Sequence, residues 1–479
     1  MYSGRVTTDA KQIVLRFDAG TLLLDGVERT ATNVPASFRW DERVRRFRAP
    51  ASGYRHIVKS LVRGNVTFED RARAYHEFDF PTKFTVEPRP YQQEAIAAWR
   101  KAERCGVVIL PTGAGKSLVA QMAIEQTRRS TLVVVPTIDL MNQWYDLLLS
   151  CFQAEVGLIG GGFFEVGALT VTTYASAFRF MERLGNQFGL VIFDECHHLP
   201  GDVFRYAAEM SLAPFRLGLT ATPERADGAD EMLEELIGPI VYRREARELA
   251  GEYLSDYSVV RLNVEMSAAE RAAYEAERAV FKTFLREKNI RLSSLRGWQL
   301  FIAASARSEA GRRAMMAYRE SKRIALGTDA KLRVLSELLR RHRRDRVLIF
   351  NAENEMVYRI SEQFLIPAIT HETNIKERRE WLAAFNAGDV LALATSKVLN
   401  EGVNIPAASV AVVLSGSGST REHIQRLGRI LRKQPDKEAT LYEVVTLDTT
   451  EEGISRRRGG EQFQGRAARS ERQSFLNEL

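Results

Sequence analysis

Cysteine is scarce in this chain, and the three present, Cys105, Cys151 and Cys196, stand far apart with no CxxC spacing. That excludes a disulfide framework and a zinc or iron–sulfur site; it fits a reducing compartment, with the three thiols as packing residues. Long apolar runs are missing as well. No stretch approaches a membrane span, and the first residues lack the basic-then-apolar layout of a secretion signal. Nor does one sign of charge dominate, since 68 Lys and Arg face 61 Asp and Glu. With 45% hydrophobic and 27% charged residues the composition is ordinary for a globular protein, and 479 residues are enough for three or four domains with their own cores.

What is there begins with a phosphate loop. Leu110-Pro111-Thr112-Gly113-Ala114-Gly115-Lys116-Ser117 follows an apolar run at 107–110 and precedes another at 118–124, which reads as strand, tight turn, helix. Gly113 and Gly115 let backbone N–H groups close around phosphate oxygens. Lys116 brings a mobile charge to the β- and γ-phosphates, and Ser117 offers a hydroxyl to Mg²⁺ at a helix start. The first position is Leu110 rather than Gly. A second buried-strand run, 190–193, delivers Asp194-Glu195-Cys196-His197 at its carboxyl end, the ligand edge of an open α/β sheet. Two adjacent carboxylates there suit a metal ligand, Asp194, and a base that orients and deprotonates the attacking water, Glu195.

Charge is uneven along the chain. Between Arg261 and Arg323, fourteen Lys and Arg meet seven Glu in what reads as two or three helices punctuated by Phe281, Phe284, Trp298, Phe301 and Tyr318. Such an insert grips a phosphate backbone and wedges between bases, or its aromatics are its own core and its charges a solvated face. From Arg39 to Lys59, seven Arg and Lys meet Asp41 and Glu42, in a front segment rich in short strand-like pieces. Nucleic-acid binding and docking onto the ATPase core are both open for it.

An α/β rhythm occurs twice, with strands expected at 107–110, 131–136, 168–173, 190–193 and 215–220, then at 346–350, 368–370, 390–394, 410–414 and 440–447. Only the first set carries a phosphate loop. The expected organisation is α/β: a small α+β domain over 1–83, a nucleotide-binding parallel-sheet domain over 84–245, a basic helical insert over 246–326, a second parallel-sheet domain over 327–450 and a flexible tail over 451–479. In the second domain Gln425, Arg429 and Arg432 fall at i, i+4 and i+7 on one face of an expected helix. Guanidinium groups arriving from a separate domain neutralise charge developing on a γ-phosphoryl, worth roughly 10³–10⁵ in rate.

In order along the chain, Pro111 to Ser117, Asp194-Glu195-Cys196-His197, Thr220-Ala221-Thr222 and Gln425 to Arg432 resemble motifs I, II, III and VI of superfamily 2 helicases. The resemblance implies two RecA-like domains, ATP and Mg²⁺ as cofactors, and Thr220 and Thr222 as couplers. Arg89-Pro90-Tyr91-Gln92 resembles the Q-motif, which implies that Gln92 reads adenine. Thr137, before Gln143-Trp144, and Thr173 resemble strand-end motifs along a DNA channel. Glu401-Gly402-Val403-Asn404 resembles motif V, with Asn404 where many relatives have Asp. Within the superfamily the chain is most similar to the XPB group of DNA repair helicases. Phe38-Arg39-Trp40-Asp41 with Tyr54 resembles the end of their damage-recognition domain, and the basic insert lies where their thumb lies. Arg225-Ala226-Asp227 stands where they have Arg-Glu-Asp, a motif implicated in strand separation, with Ala226 replacing the acid. The resemblance implies 3′-to-5′ movement on single-stranded, forked or damaged duplex DNA, a role in repair, a partner nuclease and a nucleoid-associated, cytoplasmic, monomeric protein. Two alternatives stand beside it: a duplex translocase without unwinding, and an ATPase scaffold that positions a nuclease.

Overall fold

The structure is a computed structural model that describes residues 12–31, 34–79, 81–84, 86–222, 231–249, 253, 257–292, 295–396, 408–415 and 439–452. They fall into two compact units, Met1–Glu248 and Leu249–Leu479.

The first unit opens with a hairpin. Ile13–Asp18 and Thr21–Asp25 pair antiparallel across Ala19 and Gly20, whose φ of 44° and 77° give the two-residue turn that matches strand twist. The five-stranded sheet runs in the order Arg39–Asp41, Arg46–Pro50, Thr21–Asp25, Ile13–Asp18, Phe68–Arg71. Helix Tyr54–Arg63 lays Tyr54, Ile57 and Leu61 on it, at the three- and four-residue spacing of one helix face. Leu212, from the following sheet domain, completes this core.

Most of the front segment's basic residues are engaged. Arg43 pairs with Asp41, Arg46 with Asp25, and Arg48 with Asp18 and Asp41. The docking alternative holds for Arg55 and Lys59. The Arg55 guanidinium donates to the Glu103 carboxylate and to the Glu103 and Pro214 carbonyls, and Lys59 donates to Glu103 as well.

The eight-stranded sheet follows in the order Ile240–Arg243, Cys105–Ile109, Phe215–Thr220, Leu190–Asp194, Thr131–Val135, Leu169–Thr173, Val156–Gly160, Phe163–Phe164, parallel except for the last pair. Its central strands are buried along their whole length, as helices on both faces require. The Cys105–Ile109, Phe215–Thr220 and Leu190–Asp194 strands are neighbours, so one edge receives the phosphate loop, Thr220 and the Asp194-Glu195 pair.

The second unit holds six parallel strands in the order Tyr257–Val264, Ala439–Thr446, Val410–Val413, Val347–Phe350, Ala392–Thr395, Ala368–Ile369. Tyr257–Val264 is a difference from expectation: the span read as wholly helical starts with an eight-residue strand of this sheet. Helices Ala268–Glu287, Leu295–Ala306 and Glu309–Gly327 follow. Phe281, Phe284 and Phe301 are buried, with Phe284 edge-on to Phe301, Phe281 against Tyr318 and Phe301 against Trp298 and Tyr318, so the aromatics are the insert's own core rather than wedges. Lys282, Arg286, Lys288, Arg291, Arg307, Arg312 and Arg319 face solvent.

Glu270 ties two helices together. It completes a capping box with Ser267 and also accepts from the Thr328 hydroxyl and the Asp329 N–H at the start of Asp329–Arg341. The expected tail starts too early: Glu451 is 1% exposed and takes both its oxygens to the buried Lys331 ammonium, at 2.8 and 2.7 Å. A lone charged residue survives in a core only when so paired. Residues 453–479 lie outside the described residues.

Candidate nucleotide and nucleic-acid site

Gly113 and Gly115 have φ of 88° and 75°, a conformation that L side chains rarely adopt, and helix Lys116–Thr127 starts behind them. No side chain caps that helix start, which leaves its first N–H groups for a ligand. The Thr112 hydroxyl is buried with no partner among the described residues. An uncapped helix start, left-handed glycines and an orphaned hydroxyl are what a triphosphate would satisfy. Ala114 is buried, Pro111 lines the turn, and Ser117 sits in the first helical turn.

Behind the loop stands the segment Arg89-Pro90-Tyr91-Gln92. The Gln92 carboxamide is 3% exposed. Its oxygen accepts from the Arg89 N–H at 2.9 Å, and its nitrogen donates to the Ala114 and Gly115 carbonyls at 2.9 and 3.2 Å. The Tyr91 hydroxyl donates to the Ala114 carbonyl at 2.8 Å. Gln92 thus braces the loop from behind, with its amide hydrogens on loop carbonyls.

On the adjoining strand end, Lys116 Nζ lies 3.5 Å from Glu195 Oε1. Asp194 is 7% exposed; its Oδ2 accepts from Trp144 Nε1 at 2.8 Å and its Oδ1 from the Glu195 N–H at 3.0 Å. The Tyr174 hydroxyl holds the Asp194 carbonyl at 3.0 Å. Burial, then the neighbouring Glu195 charge, push the Asp194 carboxyl up to about 6, against the pull of Lys116 and the Trp144 hydrogen bond. Each carboxylate oxygen still has a lone pair to spare, so Asp194 and Ser117 fit a divalent cation beside the phosphates.

Glu195 itself has φ 47°, ψ 53°. A left-handed non-glycine residue costs on the order of 1–3 kcal/mol and is characteristic of catalytic positions. His197, fully buried, places Nδ1 3.0 Å from Thr220 Oγ1 and 3.5 Å from Glu195 Oε2. Thr220 Oγ1 in turn donates to the Thr222 carbonyl and accepts the Thr222 N–H. The candidate coupling residues are therefore in hydrogen-bonded continuity with the candidate base. The Thr222 hydroxyl has no partner among the described residues.

Thr137 and Thr173 are both helix caps. Thr137 Oγ1 accepts the Leu140 N–H, and Thr173 Oγ1 the Ser176 N–H. The sheet brings them to the edge that bears the phosphate loop. Arg225, Asp227, Gly402, Asn404, Gln425, Arg429 and Arg432 lie outside the described residues. Trp144, Tyr174 and His197 were not expected as site residues. All three adjoin quoted motifs, His197 two positions after Glu195, Trp144 in Gln143-Trp144 and Tyr174 directly after Thr173, but their contacts at Asp194 and Thr220 join residues far apart in the chain.

Three family models match. Residues 15–72 match "Xeroderma pigmentosum group B helicase damage recognition domain", 85–225 match "Type III restriction enzyme, res subunit", and 330–434 match "Helicase conserved C-terminal domain". The helicase domains imply that the loop takes ATP. A protein of Sulfurisphaera tokodaii named DNA 3′-5′ translocase XPB2 is 39% identical over 93% of this chain and 99% of its own. Proteins of Kineococcus radiotolerans and Mycobacterium tuberculosis, each named DNA 3′-5′ helicase XPB, are 31% identical over 77% and 75% of this chain, which spans 62% and 61% of their lengths. The crystal structure of the Pyrococcus furiosus Hef helicase domain shares the fold, with a TM-score of 0.52 at 18% identity over 77% of this chain and 97% of that one. With a damage-recognition domain, two helicase domains in order and a relative matched along nearly its entire length, this chain belongs to the XPB family of superfamily 2 DNA helicases and translocases.

Proposed function

We propose that the chain is an ATP-driven motor that travels 3′-to-5′ on DNA, the direction for which its relatives are named, and that with its damage-recognition domain it serves repair. The observation that carries this reading is the convergence of Lys116, Asp194, Glu195 and the His197–Thr220 pair at one sheet edge. Gly113, Gly115 and the helix start at Lys116 bind the triphosphate tail through backbone N–H groups. Lys116 moves from Glu195 to the phosphates when they arrive, which frees the Glu195 carboxylate to orient water and take its proton. Ser117 and Asp194 would hold Mg²⁺, which would supply charge neutralisation on the phosphate oxygens. His197 Nδ1 lies beside both Glu195 and Thr220, so a change in the Glu195 carboxylate shifts its hydrogen bonding to Thr220, whose contacts with Thr222 link hydrolysis to the bound strand. Arg429 and Arg432, with Gln425, are assigned to the γ-phosphate on their motif, Gly402 and Asn404 to the ribose, and Arg89 and Gln92 to the adenine side. Thr137, Thr173, Arg225 and Asp227 are assigned to the DNA path.

The exposed cations of the helical insert give the motor its grip on phosphates. Ala226, where relatives have an acid, favours translocation over strand separation. We further infer Mg²⁺ dependence, a monomer that acts at the nucleoid, and a nuclease partner, the last on family resemblance. ATP hydrolysis measured with matched single-stranded, duplex, forked and RNA substrates tests the reading, with Glu195→Gln as the inactive control. DNA stimulates hydrolysis if the reading is right; indifference to every nucleic acid removes it.

A further inference from the structure

The first sheet ends in a hairpin that nothing above uses. Val156–Gly160 runs parallel to Leu169–Thr173, so its carboxyl end lies on the same edge as the phosphate loop. There the chain turns through Gly160, Gly161 and Gly162, at φ of 137°, 61° and 97°. Phe163 and Phe164 return antiparallel, opposite Gly160 and Ile159. The turn is seated on two helix starts. A Cβ at Gly160 would come within 3.0 Å of Ser176 Oγ, and one at Gly161 within 3.5 Å of Ile138, whereas Gly162 faces open space. The glycines let the turn lie close over the helices capped by Thr137 and Thr173, with two phenylalanines at its tip.

Both rings are exposed, Phe163 by 53% and Phe164 by 45%. Adjacent exposed phenylalanines on an edge strand invite non-specific pairing, so their place calls for a ligand. Strand alternation sends them to opposite faces. Phe164 is held in orientation, with Phe180 edge-on at 4.9 Å and the Arg183 guanidinium 5.8 Å from its centroid, while Arg179 lies 5.3 Å over Phe180. The arginines thus border Phe164 and its neighbour Phe180, and Phe163 stands exposed on the other face of the hairpin. On the same helix face Arg179 and Arg183 outnumber Glu182, and Glu165 lies just beyond the tip.

We propose that Phe163 and Phe164 form a two-sided stacking platform, one ring on each face of the hairpin, for unpaired bases of a DNA strand that crosses this edge. Every base offers a π-face whatever its identity, and an aromatic ring takes it without sequence preference, with the Arg183 guanidinium adding to this at Phe164. The platform rests on the motor reading, since it needs a strand on the edge that bears Thr137 and Thr173. It holds bases, leaving phosphates to the basic groups, and therefore sets how firmly a displaced single strand is kept.

The test uses the full chain with Phe163→Ala, Phe164→Ala and Phe163→Trp. Affinity is measured for a fluorescent single strand and for the same strand with abasic sites, alongside ATP hydrolysis with and without DNA. Each alanine variant is expected to bind the intact strand about tenfold more weakly, to bind the abasic strand as the parent does, and to hydrolyse ATP normally without DNA. Phe163→Trp restores binding. Unchanged affinity in both alanine variants, or equal losses on intact and abasic strands, overturns the platform alone when the parent is stimulated by DNA. A parent chain that ignores DNA overturns the motor reading, and the platform falls with it.

Discussion

The indole N–H of Trp144 donates to Oδ2 of Asp194 at 2.8 Å, orienting from a separate helix the carboxylate proposed to hold the metal. Burial holds that carboxyl up at about 6, and the indole is one of the groups that pull it down. Phe in place of Trp144 keeps the ring and removes the donor, and a hydrogen bond to a charged group contributes about 1.5–3 kcal/mol. In the metal-free, nucleotide-free Trp144→Phe protein the Asp194 carboxyl is therefore expected to titrate about one to two pH units higher than in the parent, read by NMR. Superimposable titration curves would refute this.

The same raised pKa has a consequence for stability. A carboxyl with a higher pKa folded than unfolded favours the fold below its ordinary value near 3.8 and loses that contribution as pH rises through about 6. Without nucleotide, Asp194→Asn is expected to melt several degrees above the parent at pH 8, with the gap closing near pH 4. A variant that melts lower throughout would show that Asp194 is net stabilising when charged.

His197 touches both Glu195 and Thr220. His197→Asn is expected to keep DNA-free hydrolysis near the parent rate while DNA stimulation falls by roughly fivefold or more, the scale of a typical coupling energy. Parallel loss of both rates would instead make His197 part of the hydrolytic step.

Glu270 accepts from Ser267, Thr328 and Asp329 at the starts of two helices. Burial would raise its pKa, but these hydrogen bonds outweigh it and hold the group below the ordinary value. Its contribution is therefore present above pH about 4.3 and fades as pH falls through the lower folded value. Glu270→Ala is expected to cost about 2 kcal/mol at pH 7, about one per cap, and much less at pH 3, read by urea unfolding.

Ending the chain at residue 450 leaves the Lys331 ammonium buried without Glu451. Breaking one side of a buried pair costs about 3–5 kcal/mol. The shortened protein is expected to unfold at markedly lower denaturant, and Lys331→Met in the same background to recover part of the loss.

Much of this architecture is legible in residue order, because its signals are local. The apolar run before Pro111, the glycines at 113 and 115 and the helix after Lys116 adjoin one another, and strands expected at 190–193, 215–220 and 410–414 are found as Leu190–Asp194, Phe215–Thr220 and Val410–Val413. What stayed hidden depends on contacts between distant residues. Tyr257–Val264 carries Arg261 and Asn263 in a basic stretch, and only pairing with Ala439–Thr446 makes it a strand. Trp144 and Asp194 lie 50 positions apart, and Lys331 and Glu451 lie 120 apart. Phe281 and Phe301 have the same letters whether they wedge bases or fill a core, and burial alone decides.

Finally, Arg43, Arg46 and Arg48 of the front sheet pair with Asp41, Asp25 and Asp18, and Arg55 and Lys59 share the single charge of Glu103, while Arg39, Arg45 and Arg63 are exposed. Where its cations are paired, such a surface displaces fewer condensed ions than their number suggests when it meets a duplex. The front domain's share of any salt dependence is then set by Arg39, Arg45 and Arg63 and is smaller than its basic count implies, with the larger share falling to the exposed cations of the helical insert.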